Sequence, residues 1–290
     1  MEITPENVSE GLRHANYVTN QRVETSIFLA LALGKPLLIE GPAGSGKTEV
    51  AKVMAAMLHA ELIRLQCYEG LDEARALYEW NYQKQLLRLQ ADQHRGLRWE
   101  ELSEHLFSPD YLLERPLLKA LLAPRQVVLL IDEVDKADQE FEAFLLETLS
   151  DFQVSIPELG TIKAHERPAV VLTSNRAREL SEALRRRCLH LFIDFPSIAQ
   201  ERRIIELKAP GLDAMLAEQA ARFIGAIRKT GLKKPPSIAE TLDWAQALVR
   251  LGVRELDSAA VRSTIGLLIK HEDDRSKIEG KVSALLSHPR

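Results

Sequence analysis

The sequence predicts an α/β protein: a three-layer αβα core around a five-stranded parallel sheet, followed by a small all-α domain. Three observations lead to this class. Short apolar runs without polar alternation recur through the first two thirds of the chain, the pattern of strands buried on both faces. Helical periodicities separate them, and strands alternating with helices specify a parallel sheet covered on both sides. After Pro196 the apolar runs stop and helical periodicities alone remain. The boundary is therefore placed there, with an αβα core over 1–196 and an all-helical domain over 197–290.

Taken in order, the pattern from about residue 6 to 34 is helical, and Gly34 and Pro36 close it. PLLIE (36–40) is the first strand. KTEVAKVMAAMLHA (47–60) follows as a helix, with Val50, Val53, Met54, Met57 and Leu58 on one face. ELIRLQC (61–67), RQVVLLID (125–132), PAVVLTSN (168–175) and LHLFIDF (189–195) supply the other four strands. EFEAFLLETLSDF reads as an amphipathic helix, with Phe141, Phe144, Leu145, Leu149 and Phe152 in one stripe. The segment 68–124 is longer than a strand–helix–strand crossover needs, so it is expected to hold an inserted helix or hairpin. In the second domain, APGL (209–212), TGLKKPPS (230–237) and LGVREL (251–256) break the helices.

With 290 residues, 46% hydrophobic and 28% charged, the chain has the composition of a globular protein able to bury a sizeable core. Its formal net charge of −4 argues against general electrostatic capture of nucleic acid or anionic membranes. The two cysteines, Cys67 and Cys188, lack partners at metal-ligand spacing and offer no disulfide framework, which fits a reducing compartment. The N-terminus shows no secretory pattern, and IFLALALG (27–34) is too short to span a bilayer, so a cytoplasmic location is expected.

GPAGSGKT, from Gly41 through Pro42, Ala43, Gly44, Ser45, Gly46 and Lys47 to Thr48, fits the phosphate-loop pattern G-x-x-x-x-G-K-[ST]. Its place matters as much as its letters, because it follows a buried strand and opens a helix. Backbone N–H groups of such a loop and the helix N-terminus cradle phosphates. Lys47 would neutralise β- and γ-phosphate charge, and the Thr48 hydroxyl would ligate Mg²⁺. The third strand then ends in Asp132 and Glu133. Neighbouring side chains at a strand end point to opposite sides, so one carboxylate can hold Mg²⁺ while the other meets an attacking water. Asp132 is assigned to the metal and Glu133 to the general base. A small-molecule kinase would share the loop but would not need a glutamate directly after the metal-holding aspartate, so hydrolysis is favoured. Asn175, ending the fourth strand, is suited to orienting water, though asparagine at a strand end also serves as a turn former.

With GPAGSGKT, LLIDEVD, VVLTSN and the arginine-bearing ALRRRC in this order before an all-helical part, the chain resembles AAA+ ATPases. Within them it is similar to the MoxR group. The segments LIRLQCYEGLDEARALYEWNYQKQLL, SDFQVSIPELGTIKA and PPSIAETLDW resemble the CoxD-like type associated with carbon monoxide dehydrogenase maturation. The resemblance implies a P-loop NTPase (AAA+) core with a helical lid domain, ATP as nucleotide and Mg²⁺ as metal. It makes Asn175 the sensor-1 residue and puts Tyr17 and Val18, in YVTN, where the family contacts adenine; an aromatic there serves equally as core packing. FQVSIPELGTIKA (152–164), bent around Pro157 and Gly160, reads as a hairpin. Related groups carry such a hairpin facing a ring pore or substrate, and a plain surface hairpin has the same pattern. One departure stands out: aligning PPSIAETLDW to the lid helix puts Ala239 where a sensor-2 arginine is often found, with Lys233 and Lys234 in the preceding loop.

Arg185, Arg186 and Arg187 sit where the family carries its arginine finger, a side chain supplied to a neighbouring subunit and worth about 10³ to 10⁵ in rate. Successive helical residues point about 100° apart, so three arginines cannot share one γ-phosphate. By alignment Arg187 is the first candidate and Arg186 the second. Arg185 keeps a surface or dipole-facing role. The resemblance further implies a homo-oligomeric, hexameric ring acting on a client metalloenzyme with a von Willebrand A-domain partner. The expected function is therefore an ATP-hydrolysing, chaperone-like protein that remodels a client. Its rivals are a nucleic-acid-dependent motor or clamp-loader-like ATPase, which shares the nucleotide motifs, and a non-hydrolysing nucleotide-gated binding module. Against the motor stand the acidic net charge and the lack of a basic face interleaved with aromatics.

Overall fold

The computed structural model describes residues 3–92, 106–157 and 159–287. Its strands, in chain order, are β1 (Leu37–Glu40), β2 (Leu62–Gln66), β3 (Tyr78–Trp80), β4 (Leu112–Glu114), β5 (Val128–Asp132), β6 (Gln153–Ile156), β7 (Gly160–Lys163), β8 (Ala169–Ser174) and β9 (Leu189–Phe192). Five of them form one parallel sheet in the order β2-β5-β8-β1-β9. Every residue of β1 and β5 is buried, which is why both read as unbroken apolar runs in the sequence. The register brings the strands' carboxyl ends to one edge: Gln66 lies opposite Asp132, and Glu40 opposite both Ser174 and Phe192. In open parallel sheets that edge is where ligands bind.

The helices before and within the sheet are α1 (Pro5–His14), α2 (Gln21–Leu33), α3 (Lys47–Met57), α4 (Glu73–Ala76), α5 (Tyr82–Asp92), α6 (Pro116–Leu122), α7 (Gln139–Asp151) and α8 (Glu182–Arg187). The helix expected over 6–34 is two helices. Asn16 adopts a left-handed backbone, φ 53°, and Asn20 caps α2 by accepting from the Val23 N–H at 3.1 Å. A short polar side chain that satisfies a first-turn amide outcompetes helix continuation, a local preference that apolar spacing does not register. Two further ends differ. The strand expected to run to 195 stops at Phe192, and α3 stops at Met57, with His59 left-handed at φ 49°. Phe152, placed in the stripe of α7, is the buried left-handed residue that ends that helix.

Two smaller sheets decorate this unit. β3 pairs antiparallel with β4 inside the 68–124 stretch, and β6 pairs antiparallel with β7. Residues 93–105 of the expected insertion lie outside the described residues. The core of this unit includes Leu38, Leu65, Leu129, Ile131, Leu145 and Leu172.

The chain divides into two compact units, one comprising residues 1–11, 20–40 and 48–192, the other residues 12–19, 41–47 and 193–290. The second contains α9 (Ile198–Lys208), α10 (Ala214–Arg228), α11 (Ile238–Arg250), α12 (Ser258–Leu268), α13 (Glu272–Glu279) and α14 (Val282–Ser287). Leu216, Phe223, Ile227, Trp244, Leu248 and Ile265 pack its core. Capping boxes start two of its helices, Ser197 with Gln200 and Ser237 with Glu240. Among the described residues no helix is long and apolar enough to cross a membrane.

Candidate nucleotide site

The loop Gly41–Lys47 is shaped by glycine at two points. A Cβ on Gly41 would lie 1.9 Å from the Ile193 carbonyl oxygen. Gly44 has φ 80°, and a Cβ there would lie 2.3 Å from the Ser237 side chain. Its carbonyl accepts from the Ile238 N–H at 3.0 Å, so the first residue of α11 is docked on the loop. Lys47 is buried, and its ammonium donates to the Gly41 and Pro42 carbonyls at 3.0 and 2.8 Å. The lysine thereby ties the loop backbone back on itself. The Ser45 hydroxyl is buried and has no hydrogen-bond partner among the described residues. A phosphate oxygen would satisfy this orphaned donor. The cradle fits a nucleotide phosphate.

Thr48, next along the chain, donates its hydroxyl to Asp132 at 3.1 Å. Asp132 is buried at the end of β5 and also accepts from the Thr173 hydroxyl of β8. A carboxylate and a hydroxyl converging in this way form a hard-oxygen donor set, the kind Mg²⁺ prefers. Asp132 further receives the guanidinium of Arg64 on β2 at 2.5 Å.

Glu133 follows immediately, just past the end of β5. Its backbone is left-handed at φ 57°, and its N–H donates to the Thr173 hydroxyl at 2.9 Å. Its carboxylate accepts from the Asn175 amide at 3.2 Å and from the Gln66 amide at 2.9 Å, and it pairs with Lys136 at 2.6 Å. That contact raises the Lys136 pKa, through the hydrogen bond first and the charge second. Asp135, buried, accepts from the backbone N–H groups of Asn175 and Ala177 at 3.2 and 2.8 Å, which fixes the turn that aims Asn175. The acidic surroundings also show on Cys67. Its thiol is pushed up to about 12, by burial first and then by Asp132, Asp135 and Glu133.

Of the residues singled out by motif, Thr48, Asp132, Glu133 and Asn175 come together here. Arg64, Gln66, Asp135 and Thr173 join them from outside the motif assignments. The available signal was polar residues placed within apolar strands, as in LIRLQ and AVVLTS. The three arginines separate by partner. Arg185 reaches Glu40 at 3.4 Å, where His190 also bonds the same carboxylate at 2.7 Å. Arg186 pairs with Glu182 on the surface of α8. Arg187 is exposed and makes no ion pair among the described residues. Tyr17 and Val18 are half-buried in the same compact unit as the phosphate loop. Ala239 is the exposed second residue of α11. Lys233 pairs with Asp273 at 2.7 Å, and Asp274 accepts the backbone N–H groups of Lys233 and Lys234, so that loop is pinned within its own unit.

The chain is similar in sequence and in fold to known proteins. The denitrification regulatory protein NirQ of Stutzerimonas stutzeri is 26% identical over 230 residues, covering 76% of this chain and 74% of that protein. An uncharacterised protein of Staphylococcus haemolyticus is 25% identical over 256 residues, covering 84% of this chain and 88% of its own. Among solved structures, a Thermotoga maritima RuvB variant superimposes with a TM-score of 0.52 at 20% identity, covering 99% of this chain and 82% of that one, a likeness of fold. Residues 36–188, more than half of the chain, match the family described as AAA domain (dynein-related subfamily). The P-loop NTPase fold, the phosphate loop and the acidic strand end all lie within or beside that match, and the chain belongs to this AAA family.

Proposed function

We propose that the protein is an ATP-hydrolysing, chaperone-like AAA+ protein of the MoxR group, CoxD-like, that remodels a client during metalloenzyme maturation or complex assembly. The observation that carries the hydrolytic part is the pairing of Thr48 with Asp132 beside a Glu133 carboxylate held by Asn175. Lys47 neutralises the β- and γ-phosphates. Thr48 and Asp132 would hold Mg²⁺, which would supply charge neutralisation across the phosphates. Glu133 accepts a proton from the attacking water, and the Asn175 amide fixes both the carboxylate and that water. Tyr17 and Val18 line the adenine, and the catalytic core and helical lid divide near residue 196. Arg187, which makes no ion pair among the described residues, reaches the γ-phosphate of a neighbouring subunit in a homo-oligomeric ring. A hexamer and a von Willebrand A-domain partner follow from the MoxR-like segments, and a cytoplasmic location follows from the cysteine usage and the lack of a secretory pattern.

The test is nucleotide binding and steady-state phosphate release. Lys47→Ala is expected to abolish ATP binding. Glu133→Gln should bind ATP normally and turn over about 10² to 10⁴ times more slowly. Wild-type turnover by Glu133→Gln would overturn the general-base assignment. DNA or RNA raising the wild-type rate in a salt-dependent way would favour a nucleic-acid motor instead.

A further inference from the structure

The buried Asp132 carboxylate has a cation on it already. Arg64 and Gln66 are alternate residues of β2, so their side chains share a face, and the register places Gln66 opposite Asp132. The Arg64 guanidinium lies 2.5 Å from Asp132 Oδ2 and donates at 2.5 Å to the Gln66 side-chain oxygen. Gln66 in turn donates its amide N–H to Glu133 at 2.9 Å. One side chain thus touches the metal-holding carboxylate directly and the proton acceptor through a single intermediate.

The Asp132 side chain is 3% exposed, whereas that of Arg64 is 52% exposed. A carboxylate that dry needs a compensating charge. The Thr48 and Thr173 hydroxyls satisfy its lone pairs but supply no charge. Arg64 supplies it from the solvent side, where a long side chain can withdraw into water at small cost. Its charge is permanent, so protons do not release it.

We propose that Arg64 is a positioning residue: it neutralises Asp132 while the metal is away and yields the carboxylate to Mg²⁺ when the nucleotide loads. This rests on the metal-holding role given to Asp132 above. Arg64 and Mg²⁺ are then competitors for Oδ2, and removing the guanidinium lowers the Mg²⁺ needed for binding.

The test is binding of a fluorescent ATP analogue, titrated with Mg²⁺, without reference to turnover. In Arg64→Met the half-saturating Mg²⁺ should fall roughly two- to fivefold, the range for an ion pair with one half-exposed partner. Arg64→Lys keeps the charge and should stay near wild type. In EDTA without nucleotide, Arg64→Met should melt below wild type, and Mg²⁺ with the analogue should recover more of its melting temperature than of the wild type's. Analogue binding in EDTA shows that each variant is folded, and Arg64→Gln serves if Arg64→Met is not. An unchanged or higher Mg²⁺ requirement in Arg64→Met would overturn the proposal, as would Arg64→Lys falling equally far. Asp132→Asn separates the two levels: if its Mg²⁺ dependence is that of wild type, the metal-holding role fails, whatever Arg64 does.

Discussion

Two buried carboxylates, one in each compact unit, are neutralised in opposite ways. In the helical unit, Glu201 meets Arg228 through two hydrogen bonds at 2.7 and 3.1 Å, and the two side chains are 2% and 8% exposed. Arg228 also donates to the Pro236 carbonyl at 2.9 Å and lies 4.4 Å over the Phe195 ring. These partners all lie within the one unit. In the sheet unit, Asp132 is as deeply buried, yet its cation, Arg64, stands half in solvent. A closed pair fixes structure, because neither partner can leave without stranding the other. An open pair leaves room for exchange. The contrast separates a structural ion pair from one that can change partners, using burial alone.

The comparison can be broken most forcefully at Glu201. Glu201→Gln should cost about 3–5 kcal/mol by urea denaturation, since Arg228 would be left charged and buried. Asp132→Asn in metal-free protein should cost about 1 kcal/mol or less, because amide and hydroxyl groups can still pair and Arg64 turns to water. Equal losses would erase the distinction between closed and open pairs. A smaller effect sharpens it along α8. Arg185→Ala gives up a contact with buried Glu40 and should destabilise by up to about 1 kcal/mol. Arg187→Ala should stay within about 0.5 kcal/mol of wild type in thermal melts while losing turnover, with partial recovery on mixing with Lys47→Ala subunits. The smallest effect concerns Cys188, whose thiol is pushed up to about 12 by burial, above the ordinary 9.0. Its thiolate fraction therefore stays small at pH 9, and alkylation by iodoacetamide should be far slower there than for a free thiol.

Much of the sheet was legible because buried parallel strands need continuous apolar runs, as LLIE and VLLID show. The loop was legible because its chemistry is local: glycines, a lysine and a threonine at fixed spacing within one strand–helix turn. The break between α1 and α2 was not, because it depends on Asn20 winning a single amide rather than on periodicity. Nor was Arg64. Nothing near LIRLQ in the sequence shows that this arginine faces Asp132, 68 residues away. That contact follows from the β2–β5 register, a long-range result that no single segment encodes. Asp135 is an intermediate case: it closes the LLIDEVD run, but its task, holding the Asn175 turn, appears only when β8 lies alongside.

The left-handed backbone of Glu133 has one further consequence. A residue with a Cβ pays about 1–2 kcal/mol to adopt that conformation, and glycine would adopt it freely. Glu133→Gly should therefore relax the backbone at the same position where it removes the carboxylate. The chain carries its acid at a point where a more comfortable residue would give a sturdier protein with an emptier strand end. Thermal tolerance and chemical competence pull against each other at this one dihedral angle, and any attempt to harden the protein by relieving strain should leave position 133 untouched.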